Sequence, residues 1–495
     1  MSTPTDQKEV MEKGEASTDQ KEVVMEKGEA STDQKYNDWI AKVDDMVEWL
    51  YDYCDTHFRP TLEEKIADME YQIGMCIHAL DSIPQEKRQS EFESAVFELT
   101  KGRLYNSIPG CYKEEAEHHL VNATNLAPYL LDAWVSLGIC FAKKRDYPRA
   151  KHYYQFVLTV KEDSMVLWQL ADLELLYARG EFSPYVADNP PHHIDECIKY
   201  AQRALALDDT DGSCLCKMHQ ICPKGTRSGC TDGSYILGSA YFSSFILDGG
   251  WNHDNTLRSL EAYEKAEKTH EMKSNPELQY DCGIVNRFLE NYNKSLICLS
   301  DAAITDPSLD VLHQLKMTVQ LLDKLEGLVQ GKSNDKSKGK IKGKSKGKSK
   351  GKSKGKSTET SLSSLIQSLD TIDLNPSYNR ATLDVLAEGP NKGLAVIGAV
   401  RCLVKYEYST PLYYVLCDSN ENSFVLTVFG IQKEAIKQGD QVTLLEPFCK
   451  FVDFEWEGKH YQFTSVRVNL VEQVLVNGNA LSPSFAIRQP LRLYA

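Results

Sequence analysis

Trp134 and Trp168 stand 34 residues apart, and this spacing restricts the chain more than any other feature in it. Around the first, DAWVSLGICFAKKRDYPRAKHYYQFVL sets Trp134, Leu137, Gly138 and Phe141 at helical spacing, and then Ala150, Tyr154 and Val157 in a second helix. Two short helices with one apolar face each cannot bury that face alone; they need further pairs stacked against them. Small residues at Gly138 and Ala150 imply that the two helices of a pair cross closely there. Trp134, Leu137 and Tyr154 are expected to fill the space between successive pairs.

The order follows the tetratricopeptide (TPR) pattern W-x2-L-G-x2-Y…A-x3-F, with Phe141 and Tyr154 at its two aromatic positions, and its phase runs in both directions. Ala116, Leu120, Ala123 and Pro128 read as the second helix of the preceding repeat, and Trp168 opens a degenerate one. Cys197, Ala201 and Ala204 form another second helix. Leu237, Gly238 and Tyr241 open the next repeat, closed by Tyr263 and Ala266. Gly283, Ser295, Leu299, Ala302 and Pro307 make the last, and 311–329 reads as a solvating cap helix. Upstream, Trp39, Ile40, Val43, Met46, Val47 and Leu50 give one more amphipathic helix, broken by Pro60, and Thr61 starts another with a capping-box pattern. The array is placed at 36–330.

In such arrays the first helices line a concave face, at repeat positions 2, 5, 9, 12 and 13. This nominates Asp132, Val135, Ile139, Ala142 and Lys143, then Gln169, Leu173 and Leu176, then Tyr235, Ser239 and Phe242, then Tyr280, Ile284 and Arg287. Asp132 and Asp172 are the acids expected there, and Lys143, Arg179 and Arg287 the bases.

One stretch breaks the phase. Ala204 to Leu237 is 33 residues, with CLCKMHQICPKGTRSGCTDGS at 214–234 in excess. Zinc sites favour paired ligands two to four residues apart, and only Cys214 and Cys216 are close, one residue apart. A surface insertion or a gene-model artefact is expected, with no metal. The fourteen cysteines show no tight framework, as in a reducing compartment. Residues 1–35 hold a near-duplication, TDQKEVMEKGEAS from Thr5 and TDQKEVVMEKGEAS from Thr18, and read as disordered. No run of eighteen apolar residues and no signal-peptide core is present, so no membrane span is expected.

The protein has a net charge of −15, yet residues 331–357 hold twelve lysines and one aspartate, leaving −26 elsewhere. Lysine spaced by glycine and serine, without aromatic neighbours, supplies charge without base reading. That is the chemistry of phosphate-backbone contact, with a plain spacer or a nuclear import signal as the other readings. The linker, 331–392, ends in a short amphipathic helix at 360–369.

From 393 to 480 the period changes to two. Three strands (394–408, 411–418, 423–430), a short helix in IQKEAIKQGD stopped by Gly439, and two more strands follow, the order of an OB-fold barrel. Tyr413, Tyr414, Phe424 and Phe429 are placed either to stack bases or to fill the barrel. From Asn391 to Ala495 ten basic and ten acidic residues cancel, which favours a protein-binding or structural role over nucleic acid. Residues 481–495 form a tail. His118-His119 reads as a surface of a second helix. No nucleophile, base or phosphate loop is arranged for catalysis, and no cofactor is expected.

The whole is thus read as a multidomain chain, an all-α TPR solenoid followed by an all-β OB-fold barrel. That order, with EEAEHHLVNATNLAPYLLDAWVSLG, SNPELQYDCGI and GKHYQFTSVRV…LVNGNAL, resembles the family of tetratricopeptide repeat protein five (Strap, the tubulin autoregulation factor) over about 36–481. The resemblance implies a non-enzymatic adaptor, cytoplasmic and nuclear. Its TPR groove would take the Met-Arg-Glu start of nascent tubulin and trigger tubulin mRNA decay, and Lys338, Lys340, Lys342 and Lys344, where the family has its basic patch, would be the contacts with ribosomal RNA. It also implies a second role with transcription coactivators in stress responses. Leu175 stands where an ungapped comparison with the family leads one to expect a basic groove residue, with Arg179 one turn later as its substitute. A third reading, outside the family's, is a single-strand nucleic-acid binder through the OB-fold.

Overall fold

The structure, a computed structural model, describes residues 38–56, 62–108, 110–180, 188–211, 233–269, 272–307, 309, 311–331, 363–406 and 410–487. The N-terminal duplication, the Thr61 cap, most of the 214–234 insertion and the lysine run lie outside them. Contacts divide the protein into two units, 1–186 with 202–231, and 187–201 with 232–495.

The first unit holds α1 (Asp38–Thr56), α2 (Leu62–Asp81), α3 (Glu91–Tyr105), α4 (Glu114–Leu126), α5 (Leu131–Lys143), α6 (Tyr147–Val160) and α7 (Ser164–Ala178). The boundary between units falls within α8 (Pro190–Asp211). Trp39, Val43, Val47 and Leu50 on α1 pack with Met69, Ile73, Cys76 and Leu80 on α2. Polar residues start the helices. Ser90 and Glu93 form a reciprocal capping box on α3 at 3.0 and 3.1 Å, and Asp146 caps α6 just before Pro148.

The small residue of each repeat has a specific partner. A Cβ added at Gly138 would lie 2.5 Å from the Tyr154 ring, and one added at Gly102 would lie 2.5 Å from Leu120. Tyr154 therefore fills the space within its own repeat as well as reaching the next, where its hydroxyl donates to Gln169 at 3.5 Å. Trp134 departs from the expected inter-repeat role. It is half-exposed, its rings 5.0 Å from Phe156 and 5.8 Å from Tyr153 on the paired helix, and its Nε1 donates to the Pro128 carbonyl.

The second unit holds α9 (Gly233–Leu247), α10 (His253–Ala266), α11 (Pro276–Phe288), α12 (Tyr292–Thr305) and α13 (Val311–Val329), followed by the sheet. The same device recurs: Gly238 faces Tyr263 and Gly283 faces Leu299. Turns between paired helices need a left-handed residue. Gly249 and Gly250 supply it in one repeat, but Glu290 stands there, at φ 60°, in the next.

The barrel consists of β1 (Asn379–Ala381), β2 (Gly389–Pro390), β3 (Leu394–Val404), β4 (Leu412–Cys417), β5 (Ser423–Val428), β6 (Gln441–Leu445), β7 (Phe448–Trp456), β8 (Lys459–Val468), β9 (Val474–Val476) and β10 (Asn479–Ala480). β3–β4–β5 is an antiparallel meander and β5 pairs parallel with β8. β6 and β7 read as one strand bent at Glu446-Pro447: β6 pairs β3 while β7 pairs β8, which closes the circle. The expected helix at IQKEAIKQGD is only a 3-10 turn, Lys433–Ala435. Asp440 binds the Lys437 amide at 2.7 Å and Gly439 sits at φ 87°, so the segment turns before a second helical turn can form. The barrel unit also takes in sequence on both flanks of 393–480. β1 pairs β3, Leu369 is buried against Ile397 and Cys417, and Gln432 N donates to the Phe485 carbonyl at 2.9 Å.

Both faces of β4 and β5 are buried. Tyr414, Leu416, Phe424, Leu426 and Val428 point into the barrel. Tyr413, Val415 and Val425 point outward and pack with Tyr292, Leu296, Leu321, Leu322 and Leu325 of α12 and α13. Among the described residues, no helix is long and apolar enough to cross a membrane.

Candidate functional site

The nominated concave residues are described unit by unit. In the first, Asp132 is exposed, while Val135, Ile139 and Ala142 are buried on α5. Asp132 adds to an acidic surface with Asp44, Asp45 and Glu48. The Asp44 carboxyl is held above its ordinary value chiefly by burial; Arg103 opposes this, and Asp132, Glu48 and Asp45 reinforce it.

Lys143 is 4% exposed, and its ammonium donates to the carbonyls of Asn106 and, at 2.9 Å, Ile108, where α3 ends. A cation there satisfies helix-end carbonyls, so a ligand acid would have to displace these bonds. On α7, Gln169, Leu173 and Leu176 are buried and Asp172 is half-exposed, as is Arg179 just past its C-terminal end. Leu175 is buried too.

Sequence reasoning passed over Glu174. It is fully buried, accepts the Tyr147 hydroxyl at 2.8 Å, and pairs with Lys151 at 2.6 Å. The signal was an acid inside the apolar run LADLELL, where a charge persists only with partners.

In the second unit the Tyr235 hydroxyl donates to Asp281 at 2.8 Å and Ser239 shares a 3.1 Å hydrogen bond with Tyr263. Phe242 is buried, its ring 5.8 Å from that of Phe288; Ile284 is buried and Tyr280 half-exposed. Arg287 donates to Gln314 Oε1 at 2.8 Å and is 7% exposed. Asp281, half-exposed beside Tyr235 and Tyr263, is an acid on the first-helix face that the positional rule did not select.

The four barrel aromatics are all buried. Tyr414 and Phe424 fill the barrel, and Tyr413 lies under the helices. Phe429 packs in the repeat core, its ring 4.5 Å from His253 and 6.2 Å from Phe245. The strand face that would stack bases is therefore occupied by α12 and α13 of the same unit.

At this junction Glu290 accepts hydroxyl hydrogens from Thr427 at 2.7 Å and Ser465 at 2.6 Å. Arg467 lies over the Phe448 ring at 4.2 Å, its pKa lowered by burial and supported by Glu290. His253 is pushed well below the ordinary histidine value, first by burial and then by Arg467. Among the described residues, no group of three or more His, Cys, Asp or Glu could hold a metal ion. His118 is exposed, and His119 Nδ1 lies 2.7 Å from Glu98.

Residues 377–490 match the tetratricopeptide repeat protein 5 OB fold domain. Tetratricopeptide repeat protein 5 of Homo sapiens is 26% identical over 460 residues, 89% of this chain and 93% of that protein. The Mus musculus protein of that name is 26% identical over 466 residues, 90% and 94% of the two chains. The Bos taurus protein is 27% identical over 462 residues, 89% and 93%. Among solved structures, "YrrB: a TPR protein with an unusual peptide-binding site" is 18% identical, covers 45% of this chain and 92% of that one, and has a TM-score of 0.28.

Proposed function

Since the protein is a member of the tetratricopeptide repeat protein 5 family, with helical repeats followed by that family's OB fold, we propose that it works as a non-enzymatic adaptor whose first-helix surfaces read an extended peptide. The observation that carries this is the match end to end, about nine-tenths of both chains, which includes repeats and barrel alike. The finer reading is that the peptide is the Met-Arg-Glu start of nascent tubulin on the ribosome, and that its capture leads to decay of tubulin mRNA.

The acidic surface of Asp132, Asp44, Asp45 and Glu48 suits the arginine of such a peptide, and Asp281 offers a second acid in the other unit. Of the three nominated bases, Lys143 and Arg287 already hold main-chain carbonyls and Gln314. Arg179 is the base assigned to the glutamate, because its half-exposed side chain can be reached by a ligand whereas Lys143 and Arg287 are buried. The lysine run adds a charge-driven contact with ribosomal RNA. A bivalent arrangement of this kind gains avidity without further contacts.

The burial of the β4–β5 face disfavours the single-strand nucleic-acid reading. The nuclear cofactor role would employ the same surfaces on another peptide and is compatible with a cytoplasmic and nuclear distribution. Fluorescence anisotropy of a labelled Met-Arg-Glu peptide tests the reading. Asp132→Lys and Arg179→Glu should each weaken binding about tenfold or more, the scale of one charged hydrogen bond. Unchanged affinity in both variants would place the peptide elsewhere.

A further inference from the structure

A cavity of about 370 Å³ opens in the first unit between the turn before α3 and the helices α3 and α4. It lies outside every residue nominated for the peptide surface. Its wall holds Arg88, Phe97, Glu98, Asn122, Asn125 and Gln85. The Arg88 guanidinium carbon lies over the Phe97 ring, 3.8 Å from its centre, with the Lys101 ammonium 5.5 Å from the centre of the same ring. Contact with the ring restrains the guanidinium, and Arg88 Nε, though buried, has no hydrogen-bond partner among the described residues.

Glu98 is differently placed. Its Oε2 already meets His119 Nδ1 at 2.7 Å and Asn122 Nδ2 at 3.3 Å. The unmatched charge in the cavity is therefore positive, and the neutral groups beside it are carboxamides that can donate or accept.

We propose that this cavity is a second ligand site, one that takes a carboxylate carried by a peptide. A planar carboxylate matches the guanidinium edge in a two-point contact. Asn122 and Asn125, three residues apart on α4, share a face of that helix and can bond the peptide backbone next to the acid. The nearby Glu98 charge disfavours a dianionic phosphate relative to a singly charged carboxylate. The carboxylate can come from an Asp or Glu side group or from the free carboxyl terminus of a polypeptide; the chemistry at Arg88 is the same.

The test is an NMR titration of the full-length protein, methyl-labelled at leucine, followed at Leu126 on the cavity rim. Three probes separate the sources: acetyl-AAEAA-amide, acetyl-AAQAA-amide, and acetyl-AAQAA with a free carboxyl terminus. Saturable shifts with the first or the third, and none with the second, are expected. Arg88→Gln should weaken the binding roughly tenfold to a hundredfold, the range set by charged hydrogen bonds. Arg88→Lys, which keeps the charge but loses the fork, should fall between, with melting curves of both variants close to wild type. Equal shifts from the neutral amide, no shift from any probe, or unaltered affinity in the folded Arg88→Gln protein would each overturn the assignment.

Discussion

Replacing Glu290 by alanine should loosen the barrel from the repeats that carry it. The carboxylate is 3% exposed and accepts two hydroxyl hydrogens, from Thr427 and Ser465. Those hydroxyls lie 3.0 Å apart, so without the carboxylate one can donate to the other, and the second is left with no acceptor. The change also weakens the field around Arg467, which is buried and whose charge Glu290 supports without an ion pair between them. Leaving a buried hydroxyl donor without its acceptor costs about 1–3 kcal/mol, and the weaker support of the buried Arg467 charge adds to it. Alanine keeps the strain of a left-handed residue at φ 60°; glycine relieves about 1 kcal/mol of it. The order of stability should be wild type, then Glu290→Gly, then Glu290→Ala. Adding Arg467→Met to Glu290→Ala should restore part of the loss, since no buried charge is then left with weaker support. Urea unfolding of the full-length wild type, Glu290→Ala, Arg467→Met and the double variant, followed by tryptophan fluorescence and near-UV circular dichroism, gives the four-member cycle. A loss below about 1 kcal/mol in Glu290→Ala, or a double variant no better than the single, would refute the view that this buried charge holds the junction.

Other expectations follow from the same geometry. Gly138→Leu should cost a few kcal/mol through overpacking, because even a Cβ at that position lies 2.5 Å from Tyr154; an unshifted melting curve would remove the close-crossing argument. His253 stays neutral in the folded protein below the pH at which an unfolded histidine protonates. Stability should therefore fall as pH drops below about 6.5, by up to roughly 1.4 kcal/mol per unit, until the depressed pKa is reached. His253→Phe should show a shallower fall over that window, and identical slopes would count against the linkage. Replacing the twelve lysines of 331–357 by glutamine should abolish ribosome co-sedimentation and its loss between about 50 and 200 mM salt, while peptide affinity persists. Undiminished co-sedimentation would make the run a spacer.

The repeats were legible because a close helix crossing leaves a local signature: Gly138, Gly238 and Gly283 each precede a bulky residue on the paired helix. The first helix of the preceding repeat was missed, although Gly102 plays the same part against Leu120, because ELTKGRLY lacks the Trp and Leu-Gly that mark the pattern. Barrel strands were legible from their residue types and turns. Their docking was not, since it pairs residues as distant as Glu290 and Ser465. One local clue existed: LYYVLC is apolar on both faces, the mark of a strand covered twice. Concave positions followed from repeat numbering, but numbering cannot tell a ligand-facing lysine from one such as Lys143, which holds carbonyls across 35 residues of sequence.

Ribosome capture puts the adaptor reading to its sharpest test. Stalled ribosomes carrying either a tubulin N-terminus or one with Met-Arg-Glu scrambled would be mixed with the full-length protein at fixed salt and sedimented. The reading requires preferential co-sedimentation with the tubulin ribosomes, competed by free Met-Arg-Glu peptide and lost in Asp132→Lys. Equal recovery on both ribosomes, with no effect of peptide, would show that this protein does not read the nascent tubulin N-terminus.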